Sequence, residues 1–192
     1  MQTLVLGSTS PFRRALLENL EIPFITDSPE IDETPRVNET PAQLVGRLAE
    51  AKARAVGQRH PTALVIGSDQ VACLAGEIVG KPGTHEQAFL QLQRASGQDV
   101  VFQTGLCLLN TASAEAHVIV EPFTVCFRAL SDAQIERYLV QEKQYNCAGR
   151  FKSEGYGITL FRALEGRDPN SLVGLPLIAL IELLEQEGVQ LP

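Results

Sequence analysis

The chain has 192 residues, of which 44% are hydrophobic and 20% charged, a balance typical of a folded globular protein. Its formal net charge of -7 at pH 7 argues against nucleic acid or an anionic membrane surface as a partner, although a small anionic ligand needs only local positive charge. No apolar run reaches the roughly 18–20 residues that a membrane span needs, and the N-terminus resembles a strand rather than a secretion signal. We therefore expect a cytoplasmic protein that forms a single domain over residues 1–192, which has room for two closely joined lobes.

The four cysteines, at positions 73, 107, 126 and 147, form no CxxC pair, and the three histidines are scattered. This spacing is unlike that of a zinc site. It predicts reduced, mostly buried thiols in a reducing compartment.

The first half of the chain alternates strand and helix signals. Residues 3–6 form an apolar strand, and Ser10-Pro11 begins a helix, because serine suits the N-cap and proline the first helical position. Residues 29–41 are polar and acidic, which predicts a loop. Thr40-Pro41 then begins a second helix that runs to about residue 56.

The middle of the chain is rich in strand signals. Residues 63–66 predict a buried strand that ends in the sequence GSDQ (residues 67–70), and strand then continues to residue 74. Residues 75–77 predict a hairpin tip that returns through residues 78–79. A third helix begins at Thr84.

The second half predicts a hairpin of two long strands, residues 100–109 and 118–127, followed by a helix from Ser131 and a C-terminal helix over residues 177–184. The order resembles β-α-β at both ends, with hairpin strands between them. We therefore predict an α/β fold with one long twisted mixed sheet flanked by helices.

A strand, a small-residue loop and a helix start coincide in residues 7–14 (GSTSPFRR). A helix N-terminus presents backbone N–H groups and partial positive charge, so this junction suits an anion. Arg13 and Arg14 oppose the helix dipole in the first turn, and a bound polyphosphate would resolve that conflict. The alternative is an ordinary capped surface helix with solvated arginines.

Lys52 lies close to the apolar stripe of the second helix, which includes Val45, Leu48 and Ala55. It follows Val45 by seven residues, so the two side chains point about 20° apart. A lysine there must either extend its ammonium to solvent or meet a negative partner, and from this fact alone the first is favoured.

Asp69 follows the strand of residues 63–66, and ligands of α/β sheets collect beyond the carboxyl ends of strands. A carboxylate there can hold a metal or activate a water. Taken alone, an aspartate in a Gly-x-Asp sequence is more often one that bonds to its own turn backbone.

Three further segments carry candidate ligands for phosphate or metal. Lys81 precedes Pro82, which aims the lysine, and the acidic loop of residues 30–33 ends in Glu33. Residues 147–157 are rich in glycine, charge and aromatic rings, but they match neither the Walker A loop nor GxGxxG. Each segment alone is also explained by solvated charge or structural turns, whereas their sum suggests a polyphosphate site.

These motifs occur in the order found in the Maf family of nucleoside-triphosphate pyrophosphatases, which the chain resembles. The matching segments cover nearly the whole chain: residues 8–13 (STSPFR), 67–69 (GSD), 80–82 (GKP), 96–97 (SG) with 104–105 (TG), and 173–176 (VGLP). The resemblance implies a fold similar to inosine triphosphatase, with a cleft between two lobes. It further implies a cytoplasmic homodimer that requires a divalent metal, Mg²⁺ or Mn²⁺.

The resemblance also implies an activity and a set of site residues. Members of the family hydrolyse a nucleoside triphosphate between the α and β phosphates, and Asp69 stands at the position of their catalytic acid. Phosphate and metal contacts are expected, on the residues and the resemblance together, from Ser8, Ser10, Arg13, Arg14, Lys52, Lys81 and, for the metal, Glu33 with Asp69.

Within the family, the chain is similar to the subfamily that acts on 7-methyl-GTP, whose selectivity positions correspond to Phe12, Gln70 and Glu154. A carboxylate such as Glu154 accepts both N1–H and N2–H of guanine, and the positive charge of an N7-methylated ring strengthens those bonds. Uracil and thymine would present carbonyl oxygens, which a carboxylate repels.

We therefore expect hydrolysis of 7-methyl-GTP to 7-methyl-GMP and diphosphate, which would keep the modified nucleotide out of nucleic acids. Two alternatives remain open at this point. The enzyme could prefer dTTP, UTP or another modified triphosphate, or the protein could be a nucleotide-binding regulator of cell division that releases no diphosphate.

Overall fold

The computed structural model describes residues 2–142 and 155–191. Its strands are numbered β1 to β7 along the chain and cover residues 3–7, 24–27, 63–74, 77–79, 99–110, 115–127 and 161–166. They form one seven-stranded sheet in the order β2-β1-β3-β5-β6-β7, with the short strand β4 paired to β3. Strands β1 and β3 pair in parallel, whereas β3 and β4 are antiparallel, so the sheet is mixed. The predicted α/β class with a mixed sheet and flanking helices is confirmed, and the predicted cleft between two lobes stays a prediction.

The N-terminal third forms two consecutive β-α-β units. Its elements are β1 (Thr3–Gly7), α1 (Pro11–Glu18), β2 (Phe24–Asp27), α2 (Pro41–Gly57) and β3 (Ala63–Leu74). Strand β1 pairs in parallel with both β2 and β3, as expected for strands joined by helical crossovers. The sequence analysis did not identify β2.

Both early helices begin where the sequence predicts. The Ser10 hydroxyl accepts a hydrogen bond from the Arg13 amide, and Pro11 takes the first helical position. At α2, Thr40 and Gln43 form a reciprocal capping box, in which each side chain bonds the backbone N–H of the other residue.

After β3 the chain turns through Ala75 and Gly76, whose φ angles of 51° and 85° are both left-handed. This is the backbone of a tight hairpin, and it returns as β4 (Glu77–Val79). Helix α3 (His85–Ala95) follows, with the Thr84 hydroxyl accepting from the Gln87 amide.

The predicted hairpin strands are β5 (Asp99–Asn110) and β6 (Glu115–Phe127), and α4 (Asp132–Glu142) begins after Ser131 as expected. A 3₁₀ helix (Tyr156–Leu160) then leads into β7 (Phe161–Gly166). The expectation of a second β-α-β unit at this end is wrong. Strand β7 pairs with β6 in antiparallel fashion, so α4 does not connect parallel strands.

The chain ends in two helices, α5 (Asn170–Val173) and α6 (Leu177–Gln186). The second confirms the predicted C-terminal helix. Contacts divide the chain into two units: residues 1–70, 103–121 and 168–192 form the first, and residues 71–102 and 122–167 form the second.

The first unit has apolar cores on both faces of its strands. Alternation along β1 places Leu4 and Leu6 on one side, in a cluster with Leu180 and Leu184 of α6. Val5 points to the other side and joins a cluster that includes Ala49 and Ala53 of α2. Helices α6 and α2 therefore cover opposite faces, as the two-residue period of a strand requires.

The second unit packs aromatic and helical surfaces of its own. Phe127 and Phe161 meet edge to face, with ring centroids 5.1 Å apart. The rings of Tyr138 and Tyr156 stack with centroids 5.8 Å apart, so they join α4 to the 3₁₀ helix.

Two glycines let the backbone of α2 approach the sheet closely. A methyl group built on Gly67 would overlap the carbonyl oxygen of Ala49 and lie 2.8 Å from the amide nitrogen of Ala53. One built on Gly105 would overlap the carbonyl group of Val45. Side chains on the inner face of α2 are consequently held against β3.

Cys73, Cys107 and Cys126 are free and buried, and burial raises the pKa of the Cys107 thiol to about 12. The prediction of buried thiols is confirmed for these three, and Cys147 lies outside the described residues. In the part of the chain that the structure describes, no helix has the length and apolar character that a membrane crossing requires.

Replacing Gly67 by alanine tests the close approach of α2. We expect Gly67→Ala to lower the free energy of unfolding by about 1–3 kcal/mol, because the new methyl meets backbone rather than a movable side chain. Gly80→Ala is the matched control, since nothing lies within 4 Å of a methyl there. Equal urea midpoints for the two variants would contradict this packing.

Candidate active site

The ammonium of Lys52 joins two carboxylates from different parts of the first unit. Its Nζ lies 2.6 Å from Oδ1 of Asp69 on β3 and 2.8 Å from Oε1 of Glu33 in the acidic loop. Lys52 is only 7% exposed and Asp69 9%, so both charges are largely withdrawn from water. Of the two alternatives that the sequence leaves open for Lys52, the structure shows a lysine that meets negative partners on the inner side of the helix.

The helix geometry explains why Lys52 points inward. The buried residues of α2 include Val45, Leu48, Ala49 and Ala53, and Lys52 lies on the same stripe. Ala55, which we expected on that stripe, is only half-buried. A buried charge is tolerated only with a partner, and here the partners are two acids.

Asp69 lies within β3 and not in a turn after a strand. Residues 67–70 belong to the continuous strand Ala63–Leu74, which corrects the expectation that the strand ends before them. Gly7, the last residue of β1, pairs with Gly67. Asp69 therefore lies where β3 extends past the carboxyl end of its parallel neighbour, so its environment still matches that of a ligand site in an α/β sheet.

The two oxygens of Asp69 differ in their contacts. Oδ1 accepts the hydrogen bond from Lys52. Among the described residues, no hydrogen bond uses Oδ2. This second oxygen is suited to orient a water or a cation.

Arg47, which the sequence analysis missed, holds the loop that carries Glu33. It lies on α2 and donates to the carbonyl oxygen of Thr34 at 3.2 Å and to the Glu39 carboxylate at 2.8 Å. The Arg47 guanidinium lowers the pKa of the Glu39 carboxyl to about 2. Asp32 in turn accepts from the amide and hydroxyl of Thr34, so the loop is fixed on both sides of Glu33.

The serines after β1 form a short chain of hydrogen bonds. The Ser8 hydroxyl accepts from the Ser10 amide at 3.1 Å, and the Ser10 hydroxyl accepts from the Arg13 amide at 3.4 Å. Because Gly7 pairs with Gly67, the chain leaves β1 beside the Asp69 segment of β3. The structure thus brings Ser8 and the start of α1 to the same end of the sheet as Asp69.

Arg13 is oriented by a carbonyl group near the end of the chain. Its Nε donates to the oxygen of Gly174 at 2.7 Å, and the hydroxyl of Ser68 donates to the same oxygen at 2.9 Å. Gly174 has a φ of 116°, which other residues adopt only with strain. The VGLP motif identified in the sequence therefore contributes a positioning carbonyl, a role that its sequence did not reveal.

Gln70 follows Asp69 and contacts the neighbouring turn. Its Nε2 donates to the Thr104 hydroxyl at 2.8 Å and to the carbonyl oxygen of Ser171 at 2.6 Å. The side-chain orientation of Gln70 is thereby set by α5, the helix that ends next to Gly174.

The remaining predicted residues are placed differently. Arg14 forms an exposed ion pair with Glu18 at 2.9 Å, and Phe12 is half-buried on α1. Lys81 belongs to the second unit. Glu154 lies outside the described residues.

The acidic side chains of the site can be compared with the ligands that a divalent metal ion needs. Within residues 2–142 and 155–191, no three His, Cys, Asp or Glu side chains converge on one point. Glu33 and Asp69 do converge, through Lys52. Since Mg²⁺ usually takes one or two carboxylates together with substrate phosphates, this pair fits a divalent cation that binds with a polyphosphate.

Comparison with known sequences identifies the family of this chain. Residues 3–187 match the family described as Maf-like protein, so the chain belongs to that family. The resemblance inferred from the motifs is confirmed.

Two similar relatives are each named 7-methyl-GTP pyrophosphatase. That of Alcanivorax borkumensis is 58% identical over 190 residues, covering 99% of this chain and 96% of the relative. That of Nitrosococcus oceani is 60% identical over 186 residues, covering 97% and 94%.

Solved structures with some likeness include a HAM1 protein from Coxiella burnetii, with 18% identity, a TM-score of 0.47 and coverage of 66% of this chain and 73% of that one. Another is protein VC0702 from Vibrio cholerae, with 13% identity, a TM-score of 0.44 and 99% coverage of both chains.

Removing the Lys52 ammonium should destabilise the fold by leaving Asp69 buried without its partner. We expect Lys52→Met to lower the free energy of unfolding by about 2 kcal/mol and the double variant Lys52→Met/Asp69→Asn to recover part of that loss. Glu33→Gln is the control, because the Glu33 side chain is 58% exposed and should cost under about 1 kcal/mol. Strictly additive losses in urea titrations would show that Lys52 and Asp69 are not coupled.

Proposed function

We propose that this protein hydrolyses 7-methyl-GTP to 7-methyl-GMP and diphosphate, as the names of its two similar relatives state for them. The observation that carries the proposal is the meeting of Lys52, Asp69 and Glu33 at one end of the sheet. It combines a carboxylate that can activate water with a buried cation and a second acid that can share a metal.

In the proposed mechanism, Asp69 orients or deprotonates the water that attacks the α phosphorus. Lys52 holds the Asp69 carboxylate in place through Oδ1, and the other oxygen, Oδ2, would accept a hydrogen bond from the water. Holding the attacking water in line with the phosphorus is itself a large contribution to the rate.

Positive groups would stabilise the charge that builds on the departing diphosphate. We assign this role to Arg13, Lys52 and Lys81, with Ser8 and Ser10 near the phosphates at the start of α1 and Arg14 at the periphery. The bond from Arg13 to Gly174 supports the assignment, because it fixes the direction of the guanidinium before substrate binds.

Glu33 and Asp69 would hold Mg²⁺ or Mn²⁺ jointly with the phosphate oxygens. The bound cation supplies charge that offsets the negative charge of the triphosphate. Lys52 contacts both acids, so its ammonium also limits the repulsion between them.

Selectivity for the base would come from Glu154, Gln70 and Phe12. A carboxylate at Glu154 pairs with the N1–H and N2–H donors of guanine, and an aromatic ring such as that of Phe12 stacks on the cationic 7-methylguanine. The bonds that fix Gln70 to Ser171 and Thr104 support a role in shaping the pocket, since its amide cannot rotate freely.

In the cell, this activity would remove a modified nucleotide before it is incorporated into nucleic acid. We further propose, on the family resemblance, that residues 1–192 act as one domain of a cytoplasmic homodimer.

A substrate panel tests the proposed function. We expect 7-methyl-GTP to have the highest kcat/KM in a panel with GTP, UTP and dTTP, measured as diphosphate release with Mg²⁺ or Mn²⁺. A preference for UTP or dTTP would instead favour a pyrimidine enzyme. Nucleotide binding without diphosphate release would favour a regulator and contradict the proposal.

The same assay tests Asp69. Asp69→Asn should lower kcat at least about 100-fold, because the amide can neither accept a proton nor attract a cation. Asp99→Asn is the matched control, an exposed aspartate that pairs with Arg162 at 2.7 Å, and it should retain wild-type activity. An active Asp69→Asn variant would remove Asp69 from the mechanism.

A further inference from the structure

Asp168 is a fully buried carboxylate that lies outside the set of residues assigned to the reaction. It precedes α5 and has 0% of its surface exposed. A buried carboxylate costs free energy unless hydrogen bonds compensate its charge, so its partners indicate what it does.

The carboxylate bonds to two separate places in the chain. Oδ1 accepts from the amide and from the side-chain nitrogen of Asn170, each at 2.8 Å. Oδ2 accepts from the amide of Ile178, in the first turn of α6, at 2.8 Å. Asp168 therefore ties the start of α5 to the start of α6, and the positive end of the α6 dipole favours its charge.

The segment of residues 171–174 lies between the two places that Asp168 bonds, and it carries the carbonyl oxygens that orient Arg13 and Gln70. Gly174 accepts from Arg13 at 2.7 Å, and Ser171 accepts from Gln70 at 2.6 Å. The hydroxyl of Thr104 also donates to Ser171, at 2.9 Å. Among the described residues, no hydrogen bond joins Asp168 directly to Arg13 or Gln70, so any influence passes through the segment.

The segment is held by its own backbone bonds and by the burial of Leu172 and Leu175, and Asp168 adds to these contacts. It is a single turn of helix that ends at the left-handed Gly174, whose amide bonds back to Asn170 and Ser171. The backbone oxygen of Asp168 accepts from the amide of Ser171 at 3.1 Å and also from its hydroxyl. Both the side chain and the backbone of Asp168 thus hold the turn whose oxygens meet Arg13 and Gln70.

We propose that Asp168 is a positioning residue that sets the directions of the Arg13 guanidinium and the Gln70 amide through residues 171–174. Its kinetic consequence rests on the proposed function, in which Arg13 contacts phosphate and Gln70 shapes the base pocket. Loss of Asp168 charge should therefore change substrate selectivity as well as rate, whereas a residue that only stabilises α5 and α6 would change neither.

The first experiment observes positioning without relying on activity. In ¹⁵N-labelled protein, Asp168→Asn keeps the shape of the side chain but replaces one of its two accepting oxygens by an NH₂ group, so that the bonds from Asn170 or the bond from Ile178 must be lost. We expect the Arg13 Nε–H and Gln70 side-chain resonances to shift, with faster exchange of the Arg13 Nε proton. Leu183→Ala is the control, a buried core residue of α6 that should lower the Tm and leave both resonances in place.

The second experiment measures kcat and KM for 7-methyl-GTP and UTP, well below the Tm of each variant. Asp168→Asn should lose about tenfold in kcat/KM for 7-methyl-GTP, the size expected when one charged hydrogen bond is lost, and less for UTP. The ratio of kcat/KM for 7-methyl-GTP to kcat/KM for UTP should thus fall in Asp168→Asn, while Leu183→Ala should keep the wild-type ratio.

The outcomes separate the inference from the proposed function. Unshifted resonances and an unchanged selectivity ratio in Asp168→Asn, or equal changes in Leu183→Ala, would overturn the positioning role. Shifted resonances in a protein whose wild type releases no diphosphate would reject the function and retain the positioning.

If Asp168→Asn does not fold, Asn170→Ala decides the question. It removes one bond to the carboxylate and leaves the charge in place. A smaller shift of the Arg13 and Gln70 resonances supports the positioning role, and the absence of any shift contradicts it.

Discussion

The buried ammonium of Lys52 between Asp69 and Glu33 is the interaction on which the site depends. Charges this withdrawn from water must be paired, so the position of α2 and the position of the acidic loop are linked to that of β3. Gly67 and Gly105 make the pairing possible, because any larger residue would push α2 away from the sheet. Within the described residues, the same pairing engages only Oδ1 of Asp69.

A second layer of contacts gives the site its orientation. Arg47 fixes the loop that carries Glu33, and the carbonyl oxygens of Gly174 and Ser171 fix Arg13 and Gln70. These contacts join partly buried side chains to backbone oxygens, which limits the conformations that the side chains can adopt. A polyphosphate would therefore meet groups already directed toward it, and little binding energy would be lost in ordering them.

The helices that begin with a capping residue and a proline could be predicted from the local sequence. Ser10 and Thr40 each precede a proline, and both helix starts were correct. Strand β2 was missed because it has only four residues, of which just the first two are apolar, so it lacks the apolar run that predicts a strand. The position of Asp69 in a turn was wrong, because a glycine that serves close packing resembles one that ends a strand. The partners of Lys52 and Arg13 come from other segments of the chain, and no local pattern encodes such contacts.

The central claim is that the site directs water at the α phosphorus of the nucleotide. Hydrolysis of 7-methyl-GTP in ¹⁸O-labelled water, with mass spectrometry of both products, tests this directly. Attack at the α phosphorus places the heavy oxygen in 7-methyl-GMP and leaves the diphosphate unlabelled. Label in the diphosphate would mean attack at the β phosphorus and would contradict the account.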